Sequence, residues 1–300
     1  MKKTTKLLIL LGLSSIIFSC KAPDPLLELE RDIKEEFSNG TGDFALAFKD
    51  LNVGTELLID AGEKFHAAST MKTPVMIEVY KQSKEGLFEL DDSLEVKNIF
   101  YSIVDSSRYS LNSEDDSEHE LYQGVGEKRS IRDLVYDMII VSSNLATNIV
   151  IDLVDARKVT QSMRELGAMD IEVLRGVEDI KAYRAGLSNS TTAKDLMIIF
   201  EKLAKGETVD QRASSEMIET LLDQKFNDII PVHLPDEVKV AHKTGSITAL
   251  HHDSGIVFLP DGRNYVLVLL SKNLEDFEKG TQTLARVSKL IYEYMTRELE

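Results

Sequence analysis

The sequence predicts an α/β protein of the α+β type: an antiparallel sheet flanked by helices, with an inserted all-helical lobe and the active site between the two lobes. Three observations predict it. Strand-like segments lie at both ends of the chain, in "FALAFKDLNVGTELLIDA" and in "EVKVAHKTG", "SGIVFLP" and "NYVLVLLS". Between them runs a block whose apolar residues follow helical rather than strand spacing. No repeat with a period of about 20 to 50 residues is visible, which argues against a solenoid.

Taken in order, "MKKTTK" is a short basic region and "LLILLGLSSIIF" an apolar run of 12 residues, too short to span a bilayer comfortably. It ends at Cys20, the only cysteine of the chain. The pattern resembles a bacterial lipoprotein signal: residues 1–19 a signal peptide, Cys20 the lipid attachment point, and 20–29 a tether. A lipid-anchored protein on the periplasmic face of a bacterial membrane is the expectation. Loss of Lys2, Lys3 and Lys6 with the leader would take the formal charge from -16 to -19. So acidic a chain, without a basic stripe, disfavours nucleic acid as a partner.

Residues 30–300 are expected to form one domain, with a sheet lobe at about 30–65 and 230–300 and a helical lobe at about 66–229. A helical segment reaches about Phe37, and a hairpin then turns at Asn52-Val53-Gly54. From Thr70 the period becomes helical, with Pro74 tolerable only near a helix start. The acidic run "LNSEDDSEHE" reads as a solvated surface loop. Ser130 with Asp133, and Thr192 with Asp195, are capping signals ahead of "LVYDMIIV" and "LMIIFEKLA". "NLATNIVIDLV" is a further buried helix, "PDGRN" turns the last two strands into a hairpin, and a helix closes the chain.

Three short motifs can carry chemistry. Ser69-Thr70-Met71-Lys72 places a hydroxyl and an amine three residues apart, on one side of a helix. A lysine of lowered pKa can take the proton of a serine nucleophile, and a helix N-terminus favours a developing oxyanion. Alone, the motif is more often an N-cap serine followed by a surface lysine. Ser142-Ser143-Asn144 falls between two buried helical segments, where polar side chains must find partners. Lys243-Thr244-Gly245 closes a strand, with a cation and a hydroxyl side by side that could hold a carboxylate.

Taken together and in this order, the motifs resemble the Ser-x-x-Lys, Ser-Asp-Asn, Lys-Thr-Gly set of class A β-lactamases and penicillin-binding proteins. The resemblance, to the class A β-lactamase family, covers about residue 30 to the C-terminus. It implies a serine β-lactamase acting through an acyl-serine intermediate on a small-molecule β-lactam. Ser69 is then the nucleophile, Lys72 its proton acceptor and Ser142 the relay to the lactam nitrogen. Asn144 would hold the acylamide side chain, and Lys243 with Thr244 the substrate carboxylate. The backbone N–H groups of Ser69 and of Ser246, the residue after Gly245, would form the oxyanion hole.

Two departures stand out. Ser143 occupies the place of the family's aspartate, largely a supporting residue, so weaker local hydrogen bonding without loss of the chemistry is the expectation there. The family's loop pattern has Arg, Glu two residues later and Asn four after the Glu, whereas "LRGVEDIKAY" puts Glu178 three after Arg175 and Ala182 at the asparagine's place. Glu178 is the expected deacylating base, with Asp179 and Glu172 as alternatives, or else a structural partner of Arg175. In that last case the protein acylates and barely turns over, as a penicillin-binding, D-Ala-D-Ala peptidase-like or esterase-like serine hydrolase would. No cofactor and no metal are expected, since the adjacent His251 and His252 point different ways on a strand; His251 or His252 is expected instead to line the cleft near Lys243. A monomer is expected.

Overall fold

The computed structural model describes residues 24–297; the leader and Cys20 lie outside them. Helix α1 (Pro25–Asn39) opens on Asp24, whose carboxylate accepts the Leu26 N–H, with a proline at its first position, where the missing N–H costs no bond. Strands β1 (Asp43–Asp50) and β2 (Glu56–Ile59) form the first hairpin, in which Asp50 accepts the N–H groups of Asn52 and Val53 and Gly54 takes φ +81°. The helical block follows: α2 (Lys72–Lys84), α3 (Ile131–Ile140), α4 (Asn144–Val154), α5 (Ala156–Leu166), α6 (Ala193–Ala204) and α7 (Gln211–Leu222). Strands β3 (Lys239–Ile247), β4 (Leu250–Phe258) and β5 (Asn264–Lys272) and helix α8 (Phe277–Thr296) complete the order.

The five strands make one antiparallel sheet in the order β2-β1-β5-β4-β3. Successive side chains of a strand point to opposite faces, and here they feed two separate cores. Phe44, Leu46, Phe48, Leu267 and Leu269 pack with Ile33 of α1 and Leu284, Val287 and Ile291 of α8. Their neighbours Ala45, Ala47, Val266, Val268 and Leu270 pack with α6 and, beyond it, the helical lobe. Helix α2 is the centre of that lobe: Lys72 through Tyr80 are all buried. A helix buried all round must place any polar residue it carries in a site or a network.

Two features were not expected. Helices α5 and α7 have long polar faces, so their signal is confined to their ends: Asp155 caps α5 and Gly167 closes it at φ +97°, while Asp210 caps α7. Nor is the acidic run purely a solvated surface. Asp116, in its middle, is buried against the start of α4.

Candidate active site

Ser69 sits in a 3-10 turn (Ala68–Met71) that leads directly into α2. In such a turn side chains at i and i+3 eclipse, so Ser69 and Lys72 share one side. The turn is anchored from several directions. Ala67 N–H donates to Asn189, Thr70 N–H and Oγ1 donate to Ala67 O, and the His66 ring accepts the Ala68 N–H. These bonds hold buried Ala68 at φ +45°, a conformation that costs a non-glycine residue about 1 kcal/mol or more.

Strand β3 lies directly against this turn. A Cβ added to Gly245 would sit 3.0 Å from the backbone nitrogens of both Ser69 and Thr70. Only glycine allows that approach, which brings Ser246 to the mouth of the cleft beside Ser69.

Behind Ser69 the two lysines meet across one hydroxyl. Lys72 Nζ donates to Ser142 O (2.6 Å), Ser142 Oγ (3.1 Å) and Asn144 Oδ1 (3.0 Å). Lys243 Nζ donates to the same Ser142 Oγ at 3.1 Å and to Thr244 O at 3.0 Å. Both amines are fully buried. Burial drives Lys72 down to about 7, against the pull of Asp116 and Glu178. Burial, reinforced by Lys72 itself, holds Lys243 well below its ordinary range. Ser142 takes φ +58°, which turns its hydroxyl between the lysines at the junction of α3 and α4.

A cleft of about 470 Å³ opens over this group, lined by Ser69, Asn144, Glu178 and Ser246 among others. Lys72, Ser142, Lys243, Thr244 and Gly245 form the layer behind it rather than its wall, and Thr244 is buried. Ser69 itself borders the cleft, with Lys72 three residues on in the layer behind it.

The sequence pattern of the Beta-lactamase enzyme family matches residues 28–295 of this chain. The chain belongs to that family. Among its relatives, the extended-spectrum β-lactamase PER-1 of Pseudomonas aeruginosa is 24% identical over 257 residues, covering 81% of this chain and 79% of PER-1. The structure of the extended-spectrum β-lactamase TLA-1 superposes with a TM-score of 0.80 at 20% identity, covering 91% of this chain and all (100%) of TLA-1. That of PBP-A superposes at 0.78 with 25% identity, covering 90% and 96%. With the three motifs in place, these likenesses make the chain a class A-type serine hydrolase, and its sheet-and-helix architecture is the β-lactamase fold.

The loop where this chain departs from the family pattern is pinned on both sides. Asn189 Oδ1 accepts the N–H groups of Leu174 and Arg175, and its amide donates to Arg175 O. Asn148 of α4 accepts Val177 N–H at 2.6 Å and donates to Val177 O at 3.1 Å. Gly176 permits this clamp, since a Cβ there would lie 2.2 Å from Asn148 Oδ1. Glu178 then takes φ +61°, and its carboxylate faces the cleft, accepting Asn144 Nδ2 at 2.9 Å. The extra residue after Arg175 is thus absorbed by a left-handed backbone. Burial pushes the Glu178 carboxyl up, with the Asn144 bond opposing it and Asp116 adding to it.

The alternatives to Glu178 are held in other bonds, although Asp179 also borders the cleft. Asp179 caps the turn Ile180–Arg184 and accepts from Ser102, Ile103 and Ala182. Burial opposes its ionisation, but those bonds hold it below its ordinary value. Glu172 faces Lys64 and Ser190 outside the cleft. Arg175 is no partner of Glu178: its guanidinium donates to the carbonyls of Leu187 and Gly176. Ala182 is buried and offers no amide.

Two expectations need correction. His251 and His252 do not line the cleft: His251 bonds Thr281 and stacks on Phe277, and His252 lies fully buried against Phe65, bonded to His66 O. Burial pushes His252 down to about 3, which leaves it neutral. The second concerns the missing aspartate at 143. Ser143 is buried and caps α4 through the Ala146 N–H, while Asp116 accepts the N–H groups of Asn144 and Leu145. Composition hid Asp116; only the 28-residue fold-back onto α4 shows it.

Proposed function

We propose that this protein hydrolyses β-lactam antibiotics through an acyl-Ser69 intermediate. The observation that carries the reading is the Ser142 hydroxyl held at 3.1 Å from each of two buried amines, one of which continues through Asn144 to Glu178. Neutral Lys72 takes the Ser69 proton as Oγ bonds to the lactam carbonyl carbon. The oxyanion is met by the N–H groups of Ser69 and Ser246. As the C–N bond breaks, Ser142 gives its proton to the lactam nitrogen and is reprotonated from Lys72. Asn144 receives the acylamide group, and Lys243 with Thr244 receives the substrate carboxylate. Glu178 then takes a proton from water as it attacks the ester, and Ser69 leaves with that proton.

Intact mass measured over time after addition of a penicillin tests the scheme. Wild type should gain and lose one penicillin mass, and a chromogenic cephalosporin should turn over. Ser69→Ala should do neither, and Glu178→Gln should keep the added mass. A folded wild type that gains no mass would refute it.

Ala182, in place of the family's asparagine, favours a second reading in which acylation is fast and release slow, as in a penicillin-binding, peptidase-like hydrolase. PBP-A, for which a mutant is known as an acyl-enzyme complex with penicillin G, lends this reading weight. Added mass persisting for hours in wild type would select it. Export with lipid attachment at Cys20 and a monomeric state are also proposed. Cys20→Ala should move the protein from the membrane to the soluble fraction, and sedimentation should give the monomer mass.

A further inference from the structure

We infer that Asp116 is a positioning residue for this active site, supplying from outside the motif the carboxylate that Ser143 does not. The inference rests on the function proposed above. Both carboxylate oxygens accept the Asn144 N–H, at 3.0 and 2.9 Å; Oδ2 also accepts the Leu145 N–H at 3.0 Å and the Tyr122 hydroxyl at 2.8 Å. Oδ1 takes the Glu118 N–H as well, at 3.3 Å. The residue is buried, so these bonds are made away from water.

The first N–H groups of α4 have no partner within the helix, and an anion there is favoured by the helix dipole. Asp116 fills that place and Ser143 caps the next N–H, that of Ala146. Together they define where α4 begins, and hence the left-handed Ser142 just before it and the Asn144 amide at its first position. That amide is the only bridge among the described residues between Lys72 and Glu178. Asp116 is also a negative charge felt by both, favouring protonation of Lys72 and disfavouring ionisation of Glu178. The titratable groups around it are Tyr122 and Asp115 on its own segment, Lys72 on α2 and Glu178 on the clamped loop.

Asp116→Asn keeps the shape, removes the charge and turns an N–H donor toward backbone donors. In single-turnover acylation by a penicillin its rate should fall about 100-fold, the loss expected from a small misplacement of reacting groups. The acid limb of the acylation profile should also move to lower pH, because Lys72 loses a neighbour that favoured its protonated form. A role confined to stability would leave the limb in place. Adding Ser143→Asp to Asp116→Asn should recover at least about tenfold of the rate, and Ser143→Asp alone should bring no gain.

Hydrogen exchange of the Asn144 and Leu145 amides in the free protein reads the positioning without any substrate, with protection falling about tenfold or more in Asp116→Asn. Unchanged protection, or wild-type acylation by folded Asp116→Asn, would overturn the inference. If Asp116→Asn does not fold, a severalfold gain from Ser143→Asp alone would do so. A wild type that no penicillin acylates would refute the proposed function instead, and the exchange experiment would still decide the role of Asp116.

Discussion

Replacing Lys72 by methionine should inactivate the protein and yet raise its melting temperature. Burial lowers this amine from its ordinary 10.5 to about 7. At 1.36 kcal/mol per pH unit, holding it in the fold at pH 7 costs about 4–5 kcal/mol relative to the unfolded chain. Methionine has nearly the same length and removes that cost. It also strands the acceptors Ser142 O and Asn144 Oδ1, while Ser142 Oγ keeps Lys243. Two unpaired acceptors cost about 1–1.5 kcal/mol each near the low end of the usual range, the Asn144 amide being half-exposed to the cleft. The net gain is about 1–3 kcal/mol, or some 2–6 °C in Tm for a chain of this size.

The pH dependence separates this from incidental stabilisation. A lysine whose folded pKa is depressed is protonated in the unfolded chain and neutral in the fold between about 7 and 10.5. The unfolded state then holds the extra proton, so stability rises with pH across that window and falls as pH drops back through it. The advantage of Lys72→Met over wild type should therefore be largest near pH 7, vanish between about pH 8 and 9, and reverse by about pH 10. Calorimetric melts at four or five pH values measure it. A variant that melts below wild type at pH 7, or by a margin that does not change with pH, would refute the account of Lys72 as an amine kept at a cost for catalysis.

Other expectations follow from close contacts and clamps. Gly245→Ala drives a Cβ to 3.0 Å from two backbone nitrogens that cannot rotate away, so acylation should slow about 100-fold, read as the rate of mass gain. Gly176→Ala displaces the Asn148 amide from Val177; release of the acyl group should slow about tenfold or more, while acylation stays within about threefold. Asp179→Ala strands the N–H groups of Ile103 and Ala182 and should cost about 2–4 kcal/mol, seen as a lower urea midpoint.

The three motifs are legible because each sits at a recognisable point of an element: at the start of a buried helix, at the break between two others, and in one of the closing strands. The hairpin at Asn52-Val53-Gly54 and the closing strands are legible for the same reason. Asp116 is not, because an acidic run looks the same whether one carboxylate turns inward or none does. Only the packing of that segment on α4 distinguishes them. Glu178 is half legible. Its distance from Arg175 looks wrong by one residue until the φ of +61° and the Asn148 clamp are known. The order of strands across the sheet, which puts β3 at an edge beside Ser69, depends on long-range pairing that no local window contains.

Ser142 Oγ, taken as the polar link between the helical lobe and the motif strand, also bears on how the molecule breathes. Any fluctuation that parts β3 from the α3–α4 junction admits water to Lys72 and Lys243 together, and both amines then recover their affinity for protons. Opening is thereby a proton-consuming motion, made easier by acid and harder by base. Exchange of the β3 amides should reveal this as opening frequencies that climb as pH falls, once the intrinsic chemistry of exchange is divided out. The same pair of amines proposed to serve the acylation of Ser69 thus sets how often the cleft lets solvent in.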